Sequence, residues 1–482
     1  MIFVRGIARL FKHARIHQVN SASLLGFGSG ALFTLILCFC PIQMANAEMS
    51  FQLLKEIFPT NGGLAWISGP LAEADDGSFY GTTHDGGSDN RGTIFKLTSS
   101  SQLTVAYSFP NPFGTNGVYP QGGLVRGSDG AFYGAANAGG YLSGGGYGYG
   151  TVFRFSTNGV VTRLAVFVDL TNGWQPTGPL IQCEDGNFYG VTDYGGTDNN
   201  NGVVFRVSTN GLMTTLASFK STNGAYPVGL VRGSNGAIYG TTVSGGGTVF
   251  KFTTNGELTT LVYFNGTNGS LPNGLTKGTD GVFYGTTTVG GASNAGTIFS
   301  LTEDGTLTTL FSFPGTDSRR PSGDVILARN GNFYGVAAPS YVFDTNFGTL
   351  FKLTPGGELS TVFHFNGTNA MHPSARFTQG RDGNYYGVLT DVNKKLSLDT
   401  NAGAIFRLVE PPNLAATRST VGVDLTWTSF TNGLYNVEFK PSMSASSWTT
   451  LTSNVPATGT TTSVPDVIGG ATNRYYRVVL LP

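Results

Sequence analysis

An aromatic pair followed by glycine recurs through the chain, and this repetition limits what the polypeptide can become. The copies are Phe79-Tyr80-Gly81, Phe132-Tyr133-Gly134, Phe188-Tyr189-Gly190, Ile238-Tyr239-Gly240 (one ring short), Phe283-Tyr284-Gly285, Phe333-Tyr334-Gly335 and Tyr385-Tyr386-Gly387. Successive tyrosines lie 53, 56, 50, 45, 50 and 52 residues apart. A period near 50 is that of kelch-like propeller blades, each a small sheet that buries its faces only against its neighbours.

Each unit reads as four short strands. In residues 228–264, strand A is Gly229-Leu230-Val231-Arg232, Asn235-Gly236 is a tight turn, and strand B is Ile238 to Thr242. A glycine loop, Gly245 to Gly247, leads to strand C at Thr248 to Phe252. Thr254-Asn255-Gly256 turns the chain into strand D, Leu258 to Phe264. The A–B turn recurs as Asp-Gly or Asn-Gly, which suggests a two-residue hairpin with positive φ at both positions. Composition agrees. Glycine is abundant at 71 of 482 residues, aromatics make up 12% and charged residues only 12%. Such a chain favours turns and strands. Its zero net charge gives no electrostatic footprint for nucleic acid.

The ends of the repeat array complement one another. The seventh unit stops after Ala404 to Leu408 and lacks a D strand, while Phe51 to Phe58 is an orphan D strand. Pairing the two closes the ring, so the expected fold is all-β: a seven-bladed β-propeller of four-stranded blades. Closure removes an open edge. The F-Y-G-T-T, G-G and G-T-[VI]-F-K-L segments, as in Phe283 to Thr287 and Gly92 to Leu97, resemble the GloVer (Gloeo-Verruco) tandem-repeat family of exported bacterial proteins. The resemblance spans residues 51–410. It implies export and brings no catalytic residues with it. A carboxyl-terminal sorting anchor, common in that family, has no counterpart in the Leu481-Pro482 ending.

Residues 1–47 read as a signal peptide. Arg5, Arg9, Lys12 and Arg15 precede an apolar run from Ala22 to Ile42 and an Ala45-Asn46-Ala47 cleavage site. The rival reading is an uncleaved membrane anchor. The mature chain, residues 48 onward, keeps one cysteine, Cys183, expected to be a small buried side chain. Residues 411–482 break the period. Their short alternating runs and the pattern W…Y-x-V-E…W…Y-Y-R-V suggest a small β-sandwich similar to a fibronectin type III module, with Trp427 and Tyr476 in its core. Export places the protein outside the cell, at its surface or in the periplasm.

With strand A innermost, the long B–C and D–A loops share one face of the propeller, and the tight turns share the other. Variable loops on a rigid scaffold are where binding resides. The residue before a recurring Pro-x-Gly diverges: Trp66, Tyr119, Gln175, Tyr226, Leu271, Arg320 and His372. The alternative for these aromatics is packing on the following proline to seal the blades. Blade 2 adds a Gly/Tyr-rich loop with Tyr141, Tyr147 and Tyr149, and Trp174 lies in the next D–A loop. Aromatic faces beside polar groups suit sugar rings.

Two oxygen-rich loops, residues 85–90 and 197–201, lack EF-hand spacing, and the three histidines after residue 47 lack zinc spacing. No metal or cofactor is expected. No nucleophile elbow is present. Four acids, Glu73, Asp193, Asp324 and Asp391, break the repeat and would have to meet at the channel mouth to catalyse. The first expectation is therefore a monomeric, non-enzymatic exported propeller that binds a glycan or surface protein through its long-loop face. The rivals are a secreted carbohydrate-active hydrolase or lyase and a cell-surface structural scaffold.

Overall fold

The computed structural model describes residues 17–20, 49–57, 69–110, 115–140, 148–197, 200–315, 319–339, 347–365, 371–391, 403–409, 414–418, 422–429, 434–442, 444–459, 461–466 and 473–480. It divides into two compact units. One comprises Gln52–Gly380 and Tyr385–Arg407, and the other takes in Leu408–Pro482. The first is a seven-bladed β-propeller. Blade 4 shows the plan: Pro227–Arg232, Ile238–Thr242, Thr248–Phe252 and Leu258–Tyr263 form one antiparallel sheet in sequence order, strands A to D. The other blades repeat it. Blade 6 splits strand A into Arg319–Pro321 and Ile326–Leu327, both paired to strand B.

The seventh blade takes its outermost strand from the start of the repeat array. Its sheet runs Ser50–Ile57, Gly403–Val409, Tyr385–Asp391, Met371–Gln379. The Gln52 side-chain oxygen accepts from the Arg407 guanidinium, and Leu54 packs against a core that holds Ile405. Blade 7 also meets blade 1. The Thr378 hydroxyl donates to the Leu71 carbonyl at 2.6 Å, and the rings of Tyr386 and Phe79 are 4.1 Å apart. The ring is closed.

The recurring tripeptide has three separate tasks. Its glycine seats the phenylalanine of strand C in the same blade. Gly81 pairs with Phe95, Gly134 with Phe153, Gly190 with Phe205, Gly240 with Phe250, Gly285 with Phe299 and Gly335 with Phe351. In blade 7 the Phe406 ring covers Gly387. A Cβ on Gly285 would stand 2.5 Å from Cζ of Phe299, so only glycine fits under the ring. The tyrosine reaches forward to the next blade. Tyr80 meets Phe132 at 4.8 Å, Tyr133 meets Phe188 at 3.9 Å, Tyr239 meets Phe283 at 4.6 Å and Tyr284 meets Phe333 at 4.0 Å. The first residue of the tripeptide receives the tyrosine of the blade before. Where blade 4 replaces it with Ile238, that side chain joins the same buried cluster as Tyr189.

The A–B turn differs from the sequence expectation. Only its glycine has positive φ, between 74° and 81° in all seven blades. The preceding Asp or Asn keeps negative φ and uses its side chain instead. Asp129 accepts from the Ala131 N–H at 3.1 Å and Asn235 from the Ala237 N–H at 2.9 Å. With Gly127 pairing to Ala131 and Gly130 bonding back to Gly127, this is a three-residue hairpin closed by a left-handed glycine. Asp or Asn is favoured there because its oxygen caps the turn, not because it tolerates positive φ. The same residue also meets the tripeptide tyrosine: the Tyr133 hydroxyl donates to Asp129 at 2.9 Å, and Asn235 donates to the Tyr239 hydroxyl at 2.8 Å.

The second unit carries two sheets. Leu414–Arg418, Val423–Thr428 and Thr461–Asp466 form one. Leu434–Lys440, Thr449–Pro456 and Asn473–Leu480 form the other, extended at its edge by His17–Asn20. Both sheets contribute to one core, which includes Leu425, Trp427, Tyr435, Val437, Tyr476 and Val478. Trp427 and Tyr476 are buried, and the Tyr476 hydroxyl donates to the buried Asp466 carboxylate at 2.6 Å.

Gly285→Ala is expected to destabilise the propeller by about 1–3 kcal/mol, because the added methyl displaces a packed ring. Gly229→Ala, where a Cβ meets nothing within 4 Å, serves as the control and should change little. Thermal midpoints decide the matter, and equal midpoints for the two variants would remove the seating role of glycine.

Candidate ligand-binding face

Strand A is innermost. The Gly122 backbone abuts Gly178, Gly178 abuts the Val228 carbonyl, and Gly69, just before strand A of blade 1, abuts Gly122, so neighbouring A strands line up side by side around the axis. The B–C and D–A loops therefore share one face.

On that face a single joint repeats between blades, and it explains why the residue before Pro-x-Gly stands apart. The glycine that precedes strand C in one blade lies against the proline that starts strand A in the next. A Cβ would stand 2.5 Å from Cδ of Pro120 at Gly92, 2.6 Å from Pro176 at Gly150 and 2.9 Å from Pro227 at Gly202. The residue before that proline turns into the left-handed region: Tyr119 at φ 59°, Gln175 at 55°, Tyr226 at 56° and Leu271 at 53°. Its N–H reaches back across the joint. Tyr119 donates to the Arg91 carbonyl at 2.8 Å, Gln175 to Tyr149 at 3.1 Å and Tyr226 to Asn201 at 3.1 Å.

Left-handed backbone costs a non-glycine residue roughly 1–3 kcal/mol. Here it is held by a hydrogen bond and a packed proline, whatever side chain is attached. The proline packs across the joint, and the rings of Tyr119 and Tyr226 also reach the preceding blade, at His84 and Tyr194. The joint thus fixes the backbone and leaves the side chain outside it. Tyr226 is 38% exposed and Leu271 40%.

Several of the residues singled out in the sequence come together here. Tyr149 and Trp174 meet edge to face at 6.3 Å, Trp174 and Tyr194 lie 4.9 Å apart, and Tyr194 meets Tyr226 edge to face at 5.4 Å. These four rings form one arc across blades 2, 3 and 4. The Trp174 indole N–H donates to the Asn200 side-chain oxygen at 3.1 Å, which fixes the plane of the ring. At the preceding joint, Tyr119 is stacked on His84 at 4.9 Å and lies beneath the Arg91 guanidinium at 5.1 Å.

Arg320 lies in the first segment of the split strand A of blade 6, opposite Ala338, and is half-buried. Trp66, Tyr141, Tyr147 and the side chain of His372 lie outside the described residues.

Tyr194, His84 and Asn200 were not singled out as ligand contacts. Tyr194 ends strand B of blade 3 and His84 directly follows strand B of blade 1, just past the repeated aromatic-Tyr-Gly tripeptide, where the copies diverge as they do before Pro-x-Gly. That divergence was the available signal. Asn200 belongs to one of the oxygen-rich loops. Its carboxamide accepts from the Gly195 N–H at 2.6 Å as well as from Trp174, and Asn90 likewise accepts from Gly86 at 2.9 Å. Both amides hold their own loops together.

The repeat-breaking acids have distinct surroundings. Asp324 accepts from the Gly274 N–H of the neighbouring blade. Asp193, one residue before Tyr194 at the end of strand B, is partly buried. Burial pushes its carboxyl up to about 6. Cys183 packs at the edge of the core between blades 3 and 4, and burial pushes its thiol up to about 11, away from nucleophilic character.

The opposite face is cross-linked to itself. The Gln182 side chain accepts from the Ser128 N–H and Gln379 from the Arg329 N–H, each at 2.8 Å and each from the blade before. Arg126 pairs with Asp75, and Arg232 with Glu184 at 2.5 Å, in the same backward sense.

A closed ring of seven four-stranded blades whose divergent side chains gather on the loop side defines a β-propeller with one differentiated face. The chain belongs to the Gloeobacter/Verrucomicrobia repeat family, whose model matches residues 27–246 and again residues 232–433. No curated protein matches it. Among solved structures it is similar in fold to a puromycin-hydrolysing peptidase of Mycobacterium tuberculosis, at 10% identity and TM-score 0.47, over 80% of this chain and 62% of that one. It is also similar to a luciferin-regenerating enzyme, at 10% identity and TM-score 0.39, over 75% and 95%. A gluconolactonase of Xanthomonas campestris matches at 14% identity and TM-score 0.35, over 54% and 79%. These likenesses are of fold alone.

A carboxyl raised by burial weakens the fold once it ionises. Its charged form is disfavoured in the folded state, so stability falls as pH rises from about 4 through about 6 and then levels off. Asp193→Asn should therefore raise the stability at pH 7.5 by on the order of 1–3 kcal/mol, with the gain gone near pH 4. Denaturation of both proteins at the two pH values tests this. A destabilised variant at pH 7.5 would show that the carboxylate is well solvated.

Proposed function

We propose that this chain is an exported, non-enzymatic propeller that binds a glycan through the loop face of blades 2 to 4. The observation that carries the reading is the arc Tyr149–Trp174–Tyr194–Tyr226. Its rings are partly exposed, the Trp174 indole is oriented by Asn200, and the backbone at Gln175 and Tyr226 is held by the preceding blade. Rigid aromatic rings give a sugar its apolar contact at small entropic cost, and the Gln175 carboxamide beside Trp174 is a hydrogen-bonding group of the kind that engages hydroxyls. Export rests on the basic amino-terminal segment, the apolar run and the Ala45-Asn46-Ala47 site. The second unit, which resembles a fibronectin type III module in its strand pattern, then acts as a spacer or attachment unit. The working form is a monomer outside the cell, at its surface or in the periplasm.

One observation favours a second reading, a carbohydrate-active hydrolase: a carboxyl near 6 is suited to general acid work. That reading needs a second carboxylate across the sugar, about 5–9.5 Å away. Asp324 is already engaged by a backbone amide.

Residues 48–482 should bind at least one member of a panel of neutral hexasaccharides (cello-, xylo-, manno- and maltohexaose). Trp174→Ala and Tyr226→Ala should each weaken that binding by about tenfold or more, in line with the loss of a packed aromatic contact. Calorimetric titration measures it. Binding that both variants retain would move the site elsewhere. Release of new reducing ends from the bound probe would favour the hydrolase.

A further inference from the structure

We infer that the outer edge of Asn473–Leu480 in the second unit is a strand-acceptor site. Once residues 1–47 are removed, it takes up an extended segment of a partner polypeptide by antiparallel β-addition. This goes beyond the glycan-binding reading and rests on the export reading alone.

The slot is filled in the structure. The four-stranded sheet of this unit runs His17–Asn20, Asn473–Leu480, Leu434–Lys440, Thr449–Pro456. The first pair is antiparallel, with His17 opposite Tyr476, Gln18 opposite Tyr475, Val19 opposite Arg474 and Asn20 opposite Asn473. With that strand the two sheets hold seven strands, the number in a constant-type immunoglobulin sandwich. Among the described residues, 414–480 supply six of them. The seventh comes from the far side of the Ala45-Asn46-Ala47 cleavage site. Blade 7 is likewise completed by an early segment of the chain, but by Ser50–Ile57, which processing keeps. Processing therefore leaves the propeller closed and opens one edge of the second unit.

That edge lacks the devices that guard the others. In blades 1 to 6 the outermost strand D carries an extra residue against strand C, as at Ala106 between the Ile94–Tyr107 and Phe95–Val105 pairs. Such bulges deter a further strand. In the second unit, Thr449–Pro456 has two register shifts, Thr461–Asp466 contains Pro465, and Leu414–Arg418 is five residues long. Asn473–Leu480 has eight residues and no proline, and it pairs without interruption from Tyr475 opposite Lys440 to Leu480 opposite Tyr435. A long, regular edge of this kind is a template for strand addition.

The side chains define the partner. Tyr476 and Val478 are buried in the core between the two sheets, and the Tyr476 hydroxyl donates to Asp466 of the other sheet. Residues directly opposite one another share a face. A segment with apolar residues at alternate positions, opposite Tyr476 and Val478, therefore extends that core while its main chain pairs with the edge. Arg477 does not guard the edge with a bare charge: its guanidinium donates to Glu438 and lies 4.5 Å over the Trp448 ring. A second copy of the strand is a poorer occupant. Antiparallel self-pairing that keeps core side to core side overlaps most when centred on Tyr476 or Arg477. The first sets Arg474 opposite Val478, and the second sets Arg477 opposite Arg477.

The test uses residues 48–482 and a fluorescein-labelled peptide of residues 13–22, which contains the seated strand. The peptide should bind at least tenfold more tightly than a scrambled peptide of the same composition. Successive N–H groups of a strand point to opposite edges, and here one edge pairs. N-methylation at Gln18 and, separately, at Val19 should therefore weaken binding about tenfold in one case and leave it unchanged in the other. A peptide carrying Val19→Cys should form a disulfide with Arg474→Cys about tenfold faster than with Tyr475→Cys. Valine in place of His17 should tighten binding about threefold. Residues 48–482 should sediment as a monomer.

A peptide that binds no better than its scrambled control would overturn the assignment, as would two methylated peptides of equal affinity or a valine peptide that binds more weakly. A dimer that the peptide dissociates would give the edge to a second copy instead. Amino-terminal sequencing that finds residues 17–20 still attached to the exported protein would overturn both this inference and the cleavage it rests on. Hexasaccharide binding should be equal with and without the peptide, so failure here leaves the glycan reading standing.

Discussion

The structure depends on one cross-strand contact, the strand-C phenylalanine laid over the strand-B glycine. It sets how closely strands B and C approach the ring between them, and it is repeated in all seven blades. Because the glycine yields its side-chain volume to a ring from its own blade, the flanking aromatic and tyrosine are free to point to opposite neighbours. The tyrosine of one blade then meets the first residue of the next. A propeller has no single core, so its stability is a set of interfaces of this kind. The Tyr386–Phe79 contact and the shared cluster of Leu71, Phe79, Tyr386 and Ile405 show the same interface used to close the ring.

A second repeated device separates scaffold from specificity. At the joints that carry Tyr119, Gln175 and Tyr226, a glycine before strand C, a proline opening strand A and an N–H to carbonyl bond lock the backbone of the intervening residue. Within this chain the position carries side chains as different as Tyr119, Gln175, Tyr226 and Leu271 on the same left-handed backbone. On the opposite face, side chains such as Gln182 and Arg232 are consumed in tying blade to blade. The asymmetry between the two faces is a physical argument for where a ligand goes.

Much of the fold was legible because each blade repeats the same short-range chemistry. The period, the four-strand reading, the closure by residues 51–58 and the core placement of Trp427 and Tyr476 all follow from local pattern. The tight turn was misread in detail. Asp-Gly suggested two left-handed residues, whereas Asp129 and its counterparts cap the turn with their side chains and leave positive φ to glycine alone. The site was only partly legible. Divergence before Pro-x-Gly marked Tyr119 and Tyr226, but no local pattern shows that Tyr194 bridges Trp174 to Tyr226, because that contact crosses from one blade to the next. The left-handed backbone at the joint was equally hidden. Nothing in Tyr-Pro or Gln-Pro demands it; the demand comes from a carbonyl some 25 to 30 residues earlier, in another sheet.

The central claim is that a rigid ring presents a divergent rim on one face. Hydrogen–deuterium exchange of residues 48–482, with and without a saturating oligosaccharide, tests it most directly. The account predicts slowed exchange in segments that contain Tyr149, Trp174, Gln175, Tyr194 and Tyr226, with the strands of every blade already protected and unchanged. Protection that appears at the hairpins around Asp129, Asp185 and Asn235, with the rim unaffected, would contradict it.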